Sequence, residues 1–270
     1  MSGRSTANDT SAAINASACP NCGTPITGVF CAHCGQHLAD REPTFRSLIR
    51  DAFGEITDLD GRIWRTVRTL LFRPGVITRD YLDGKRARYL PPFRIYLIAN
   101  VILYFAFPWL SESAHFYVSL DPGTGIDPAR AQETILSLLP QVGFVLLPFT
   151  AWALQILYLR DHLSFGECLV AALHIKTGVA MILSIAAAIN GALLVFGTLT
   201  TQPKANWGDE LLSASGLAVI AYVALCIHRT FRGNWLADIG RSAGLLVAYG
   251  LAGMLVLTSF AWGVVWRLSN

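Results

Sequence analysis

Four stretches of this chain carry no charged residue over lengths that a membrane span requires. They run 24 positions from Leu136 to Leu159, 27 from Thr177 to Pro203, 18 from Leu211 to His228 and 25 from Ser242 to Trp266. A helix needs about 20 mostly apolar residues to cross the hydrocarbon core, because no backbone amide can be left unpaired there. A fifth candidate, Pro92 to Leu110, holds Arg94 near its start, where a long side chain can snorkel to the interface. Its Tyr96, Tyr104, Phe105, Phe107 and Trp109 suit an aromatic belt. These stretches predict an all-α polytopic membrane protein with five spans, near 92–110, 136–159, 177–199, 211–228 and 243–266. Composition agrees, since only 14% of the 270 residues are charged and mean hydropathy is +0.45. A soluble domain carries roughly 25% charged residues, so a water-soluble α/β enzyme is excluded, and so is disorder over most of the chain.

The placement of the charges orients these spans. Thirteen of the 21 Lys and Arg residues lie at or before Arg94. With a cytoplasmic N-terminus and five crossings, only Arg130, Lys204 and Arg267 face outward, which is the asymmetry the positive-inside rule describes. The expectation is therefore a multi-pass protein of a bacterial inner (plasma) membrane, N-terminus cytoplasmic and C-terminus outside. Residues 1–18 are small and polar and lack the apolar core of a signal peptide, so they read as a disordered tail.

Residues 19–36 read as a zinc ribbon. Cys19-Pro-Asn-Cys22-Gly and Cys31-Ala-His-Cys34-Gly are two C-x-x-C-G units eight residues apart. Two residues between thiolates let a tight turn aim both sulfurs at one ion, and the following glycine relieves the backbone. Two such knuckles supply Cys19, Cys22, Cys31 and Cys34 as ligands for one structural zinc, with iron the competitor for the same thiolates. A cytoplasmic setting disfavours disulfides, and no βαβ unit surrounds the motif to suggest a redox pair. Cys168 and Cys226 read as small apolar filler.

Residues 44–91 form a basic juxtamembrane segment. Phe45, Leu48, Ile49, Ala52, Phe53 and Ile56 recur at helical spacing. A second helix sets Ile63, Trp64, Val67, Leu70 and Leu71 beside Arg62, Arg65 and Arg68, and Arg73, Lys85, Arg86 and Arg88 follow. Basic amphipathic helices next to a span suit an anionic inner leaflet, at on the order of 1 kcal/mol per basic group near the surface. The same faces could equally pack on the end of the bundle or meet a cytoplasmic protein partner. Nucleic acid is disfavoured, because the aromatics follow the apolar face and form no stacking platform.

The run Thr66-Val67-Arg68-Thr69-Leu70-Leu71-Phe72-Arg73-Pro74-Gly75, then Tyr81-Leu82-Asp83-Gly84-Lys85-Arg86, then Tyr89-Leu90-Pro91-Pro92-Phe93-Arg94-Ile95-Tyr96 carries a resemblance. It resembles an uncharacterised family of bacterial inner-membrane proteins with an N-terminal zinc ribbon ending in Cys-Gly-Gln, here Cys34-Gly35-Gln36. The resemblance spans Cys19 to about Phe107 and is looser beyond, where Asp161-His162-Leu163-Ser164-Phe165 and His174 resemble a later histidine-containing stretch. Ile175-Lys176 stands where a tighter histidine cluster would be expected. The resemblance implies the ribbon and the spans, and it implies no activity.

Glu167 and His174, seven residues apart and about 700° around a helix, share a face near the predicted cytoplasmic end of the third span. They are the candidate second or transport site, weighed against an interfacial charge network with one satisfied histidine. No nucleophile elbow, zincin motif or phosphate-binding loop is present, so no enzyme is expected. Small-x-x-x-small pairs such as Ala187/Gly191 and Ala248/Ala252 favour close helix packing and allow a homo-oligomer. The sequence reading is a non-enzymatic scaffold or regulator, the alternative being a component of a transporter or permease.

Overall fold

The computed structural model describes residues 18–37, 43–53, 59–111, 128–200 and 207–269; the expected tail lies outside them. After the cysteine ribbon come three short helices, α1 (Phe45–Phe53), α2 (Leu59–Phe72) and α3 (Val76–Leu82). Five long helices follow: α4 (Pro92–Ser111), α5 (Pro128–Leu157), α6 (Phe165–Thr200), α7 (Trp207–Phe231) and α8 (Trp235–Ser269). No strand occurs among the described residues, only an isolated antiparallel bridge between Phe30 and His37.

Among the described residues, four helices are long and apolar enough to cross a membrane, where five spans are expected from sequence. They cover Pro92–Trp109, Phe165–Phe196, Glu210–Phe231 and Trp235–Phe260. The expected span at 136–159 lies on α5, whose apolar portion among the described residues is Val142–Leu157. That portion rises only about 24 Å at 1.5 Å per residue, short of a hydrocarbon core about 30 Å thick. The remainder of that expected span, 136–141, has side chains outside the described set. The third span starts at Phe165, twelve residues before the expected 177, because Glu167 and Lys176 are too few charges to interrupt it.

α4, α5 and α7 pack around α6, and α8 packs on α5 and α7. The upper half of α6 runs beside α4, where Ala106 meets Ala186 and Ala187 and the Trp109 ring covers Gly191. Small residues at these contacts let the backbones approach, which in lipid replaces the missing hydrophobic drive between helices. α8 descends along α5, with Leu157 at Gly244, Leu146 at Gly253, and Val142 and Ala252 in one cluster. α7 crosses α6 where Tyr222 lies on Gly178. The lower half of α6 is walled instead by the juxtamembrane helices, for Thr78 and Tyr81 of α3 reach His174.

The amphipathic pattern of α2 is only partly the one expected. Thr66 and Leu70 are buried, Leu70 in a small core with Ile77, Tyr89, Leu90 and Ile95. The buried Thr66 hydroxyl accepts from the Leu90 amide at 3.0 Å, tying the end of the segment back to α2. Trp64, expected on the apolar face, is 69% exposed, and Phe72 is 76% exposed. Trp64, Arg68 and Phe72 stand at i, i+4 and i+8 and line one side of α2, with the exposed Arg65 and Arg73 adjacent in sequence. In α1, Leu48 is buried and Phe45 exposed; Ile56 lies outside the described residues.

Candidate metal centre and its clamp

The two cysteine units fold as near copies. In the first, the Gly23 amide donates to Cys19 O and the Cys19 amide to Thr24 O, both at 2.8 Å. In the second, the Gly35 amide donates to Cys31 O and the Cys31 amide to Gln36 O, both at 2.9 Å. Each turn ends on a glycine with positive φ, 77° at Gly23 and 69° at Gly35, a conformation that disfavours any side chain bearing a Cβ. The four sulfurs then lie within 4.8 Å of one another. Cys19 Sγ is 3.7 Å from Cys34 Sγ, and Cys22 Sγ is 3.5 Å from Cys31 Sγ.

Those separations are far beyond a disulfide bond of about 2.05 Å. They match the sulfur–sulfur edge of a tetrahedron with metal–sulfur bonds of about 2.3 Å, which is about 3.8 Å. The donor set is thus placed to hold one metal ion. The Thr24 hydroxyl and amide beside Cys22 draw its thiol down to about 6, whereas burial pushes Cys19 up to about 11. His33 is exposed and stands apart from the cluster.

Gln36 joins this centre to the basic segment. Its side-chain nitrogen donates to Gly84 O at 2.7 Å, and its side-chain oxygen accepts from the Arg86 and Ala87 amides at 3.1 and 3.2 Å. Pro20 packs on Gly84 from the same side. The turn so held is organised around Asp80, which accepts from Lys85 Nζ at 3.2 Å and from the Tyr89 hydroxyl at 2.9 Å. Burial and the Asp80 carboxylate both raise the Tyr89 hydroxyl above its ordinary value. Arg86 lies over the Tyr81 ring at 4.9 Å.

The basic residues singled out from sequence therefore divide. Lys85 and Arg86 turn in to the clamped turn, and Arg88 stands 3.9 Å from Asp80. Arg65, Arg68 and Arg73 are exposed on or just after α2, and Arg62 is half-buried. Glu167 and His174 serve different partners. Glu167 closes a capping box at the start of α6, accepting from the Ser164 amide at 2.8 Å, while its own amide donates to Ser164 Oγ. Two turns further on, His174 shares a 3.1 Å hydrogen bond with Thr78.

A network at the α7–α8 corner was not anticipated from sequence. Asp238 is fully buried, with His228 Nδ1 3.0 Å from one oxygen, and Arg241 (3.2 Å) and the Tyr158 hydroxyl (3.4 Å) at the other. Arg241 also lies over the Tyr158 ring at 4.3 Å. The sequence does hold a signal: Asp238 is the sole acid after Glu210, surrounded by His228, Arg229, Arg232 and Arg241. Asp238→Asn keeps the shape and removes the carboxylate that His228 and Arg241 share. It is expected to cost about 1–3 kcal/mol, read as a lower midpoint in a thermal scan of the detergent-solubilised protein; an unchanged midpoint would contradict the role given to Asp238.

No match to this chain was found among the curated proteins or among the solved structures. A family model described as Protein of unknown function (DUF3667) matches residues 60–104. That stretch begins after the ribbon and runs from α2 through the clamped turn into α4. Over α2, the clamped turn and the start of α4, the chain is similar to that family of unknown function.

Proposed function

We propose that this chain is a non-enzymatic membrane scaffold or regulator in which a zinc-loaded ribbon sets the position of the basic segment ahead of the first span. The observation that carries this reading is the Gln36 side chain, which spends all three of its hydrogen bonds on the Gly84–Ala87 turn. Zinc suits a closed four-thiolate site, which leaves no open position for catalysis. The exposed Trp64, Arg65, Arg68, Phe72 stripe meets the anionic inner leaflet of a bacterial plasma membrane, with arginine on the phosphates and aromatics at the headgroup level. A cytoplasmic protein docks on the ribbon so positioned.

α5 serves as a fifth crossing in this reading, supported by its antiparallel packing along α8. The N-terminus is then cytoplasmic and the start of α5, which holds Arg130, lies outside. Labelling of an Arg130→Cys variant in intact cells is expected from the outer side; labelling only after the cytoplasm is opened would overturn this topology.

Gln36→Ala tests the clamp. Its bound zinc is expected to stay at one ion per chain, while the Arg86 and Ala87 amides exchange hydrogen roughly fivefold faster, at about 1 kcal/mol per lost bond. Unchanged exchange would remove the mechanical link between ribbon and segment. A second reading, a component of a transporter or permease, is favoured by one observation: His174 Nε2 is buried with no hydrogen-bond partner among the described residues. Substrate flux abolished by His174→Ala, with no crosslinked cytoplasmic partner, would establish it over the scaffold.

A further inference from the structure

The C-terminus of α7 and the α3 turn border an open cavity of about 510 Å³, within the range of small-molecule sites. Four cations line it: Arg79 and Lys85 from the α3 side, Arg229 and Arg232 from α7. Two carboxylates line it as well, and each is already paired. Asp83 lies 3.4 Å from Arg79 Nε, and Asp80 lies 3.2 Å from Lys85 Nζ. His228, on the same wall, is held by Asp238. Arg229 and Arg232 are left over, both exposed and neither with an acidic partner among the described residues.

Two surplus positive charges at the mouth of a cavity attract an anion. A dianionic phosphate matches both charges and offers oxygens to planar guanidinium forks. Depth points the same way. The candidate span of α7 ends at Phe231, between the two arginines, and headgroup phosphates lie just beyond the end of a hydrocarbon-spanning segment. The α3 side of the cavity is also rigid. Arg79 Nη1 donates to Thr230 O at 3.1 Å, across to α7, and Lys85 belongs to the turn that Gln36 holds. All of the lining from α3 and its turn falls within residues 60–104.

We propose that this cavity binds a phosphomonoester group, with Arg229 and Arg232 as its principal ligands and Arg79 and Lys85 as its floor. The group comes either from an anionic lipid headgroup or from free phosphate, and the chemistry at the arginines is the same. The site is separate from the α2 stripe, and binding there does not depend on the ribbon recruiting a partner.

The test uses the full-length protein. Inorganic phosphate binding is measured by equilibrium dialysis in detergent, and lipid retention by native mass spectrometry from nanodiscs of phosphatidylcholine with or without phosphatidic acid. Arg229→Ala/Arg232→Ala is compared with Arg46→Ala, which removes an exposed cation of α1 that lines no part of the cavity. The first variant is expected to weaken binding about 10- to 100-fold and the second to leave it within about twofold, since a charge-assisted contact is local. Dialysis binding lost in the first variant identifies free phosphate; phosphatidic acid retention lost in the first variant, with no dialysis binding, identifies the lipid; either supports the site. Equal loss in both variants, or no binding in either arm by a protein that elutes as a single folded species, overturns it.

Discussion

Chelating the metal from the full-length protein is expected to unfold residues 18–37 while leaving the helical bundle intact. The ribbon has almost no core of its own: its buried apolar side chains are Cys19 and Cys31, and its only bridge joins Phe30 to His37. A segment this short cannot offset its chain entropy by burial. A metal held by the four thiols would supply that folding free energy, on the order of 10–16 kcal/mol for a structural zinc site. Loss of that term frees Gln36, so the Gly84–Ala87 turn should gain exchange as it does in Gln36→Ala, and the whole ribbon with it. The bundle meets the ribbon only through this turn among the contacts described, so its thermal midpoint should hardly move. Cys19→Ser and Cys34→Ser should reproduce the effect without chelator, each removing one of four ligands. A metal-free protein whose ribbon amides remain protected would sink the assignment.

The second large effect is expected at Gly75. This residue sits at the start of α3 with φ of 81°, and a Cβ there would come within 2.6 Å of Cys226 O and 2.9 Å of Arg229 Cβ. Two costs add in Gly75→Ala. The left-handed backbone costs a residue with a Cβ about 1–2 kcal/mol. The clash adds about 1–3 kcal/mol more, because a helix carbonyl oxygen cannot rotate away as a side chain can. Relief requires α3 to lift off α7, which also opens the cavity between them. Gly75→Ala should thus lower both the thermal midpoint in detergent and phosphate binding, whereas Arg229→Ala/Arg232→Ala should lower binding alone. A Gly75→Ala protein with wild-type stability would show that the α3–α7 contact is looser than described.

Several features were readable along the chain because their physics is local. The ribbon follows from two C-x-x-C-G units, each of which closes its own turn with its own amides. The helices follow from runs without charge, since a backbone in lipid must satisfy itself within a segment. The limits of that reasoning lie in partners distant in sequence. Trp64 fits the apolar register of α2 yet is exposed, while Ile63, Val67 and Leu70 pack against Ile77, Tyr89, Leu90 and Ile95. Glu167 and His174 share a helix face, but a serine three residues before Glu167 and a threonine on α3 claim them separately. Of the span expected at 136–159, the described residues show the apolar portion Val142–Leu157 on α5.

By itself, then, the sequence determined that this chain is helical, that its helices suit a membrane, and that four thiols gather near its N-terminus. Each of these depends on residues within a turn or a helix length of one another. Only the tertiary structure decided what those parts do together. Gln36 finds a turn 48 residues away, Asp238 collects a histidine, an arginine and a tyrosine from two helices and the corner beside them, and Arg79 meets the end of α7 across 151 residues. Such contacts are set by how close-packed helices bring their ends together, a geometry that no local periodicity encodes.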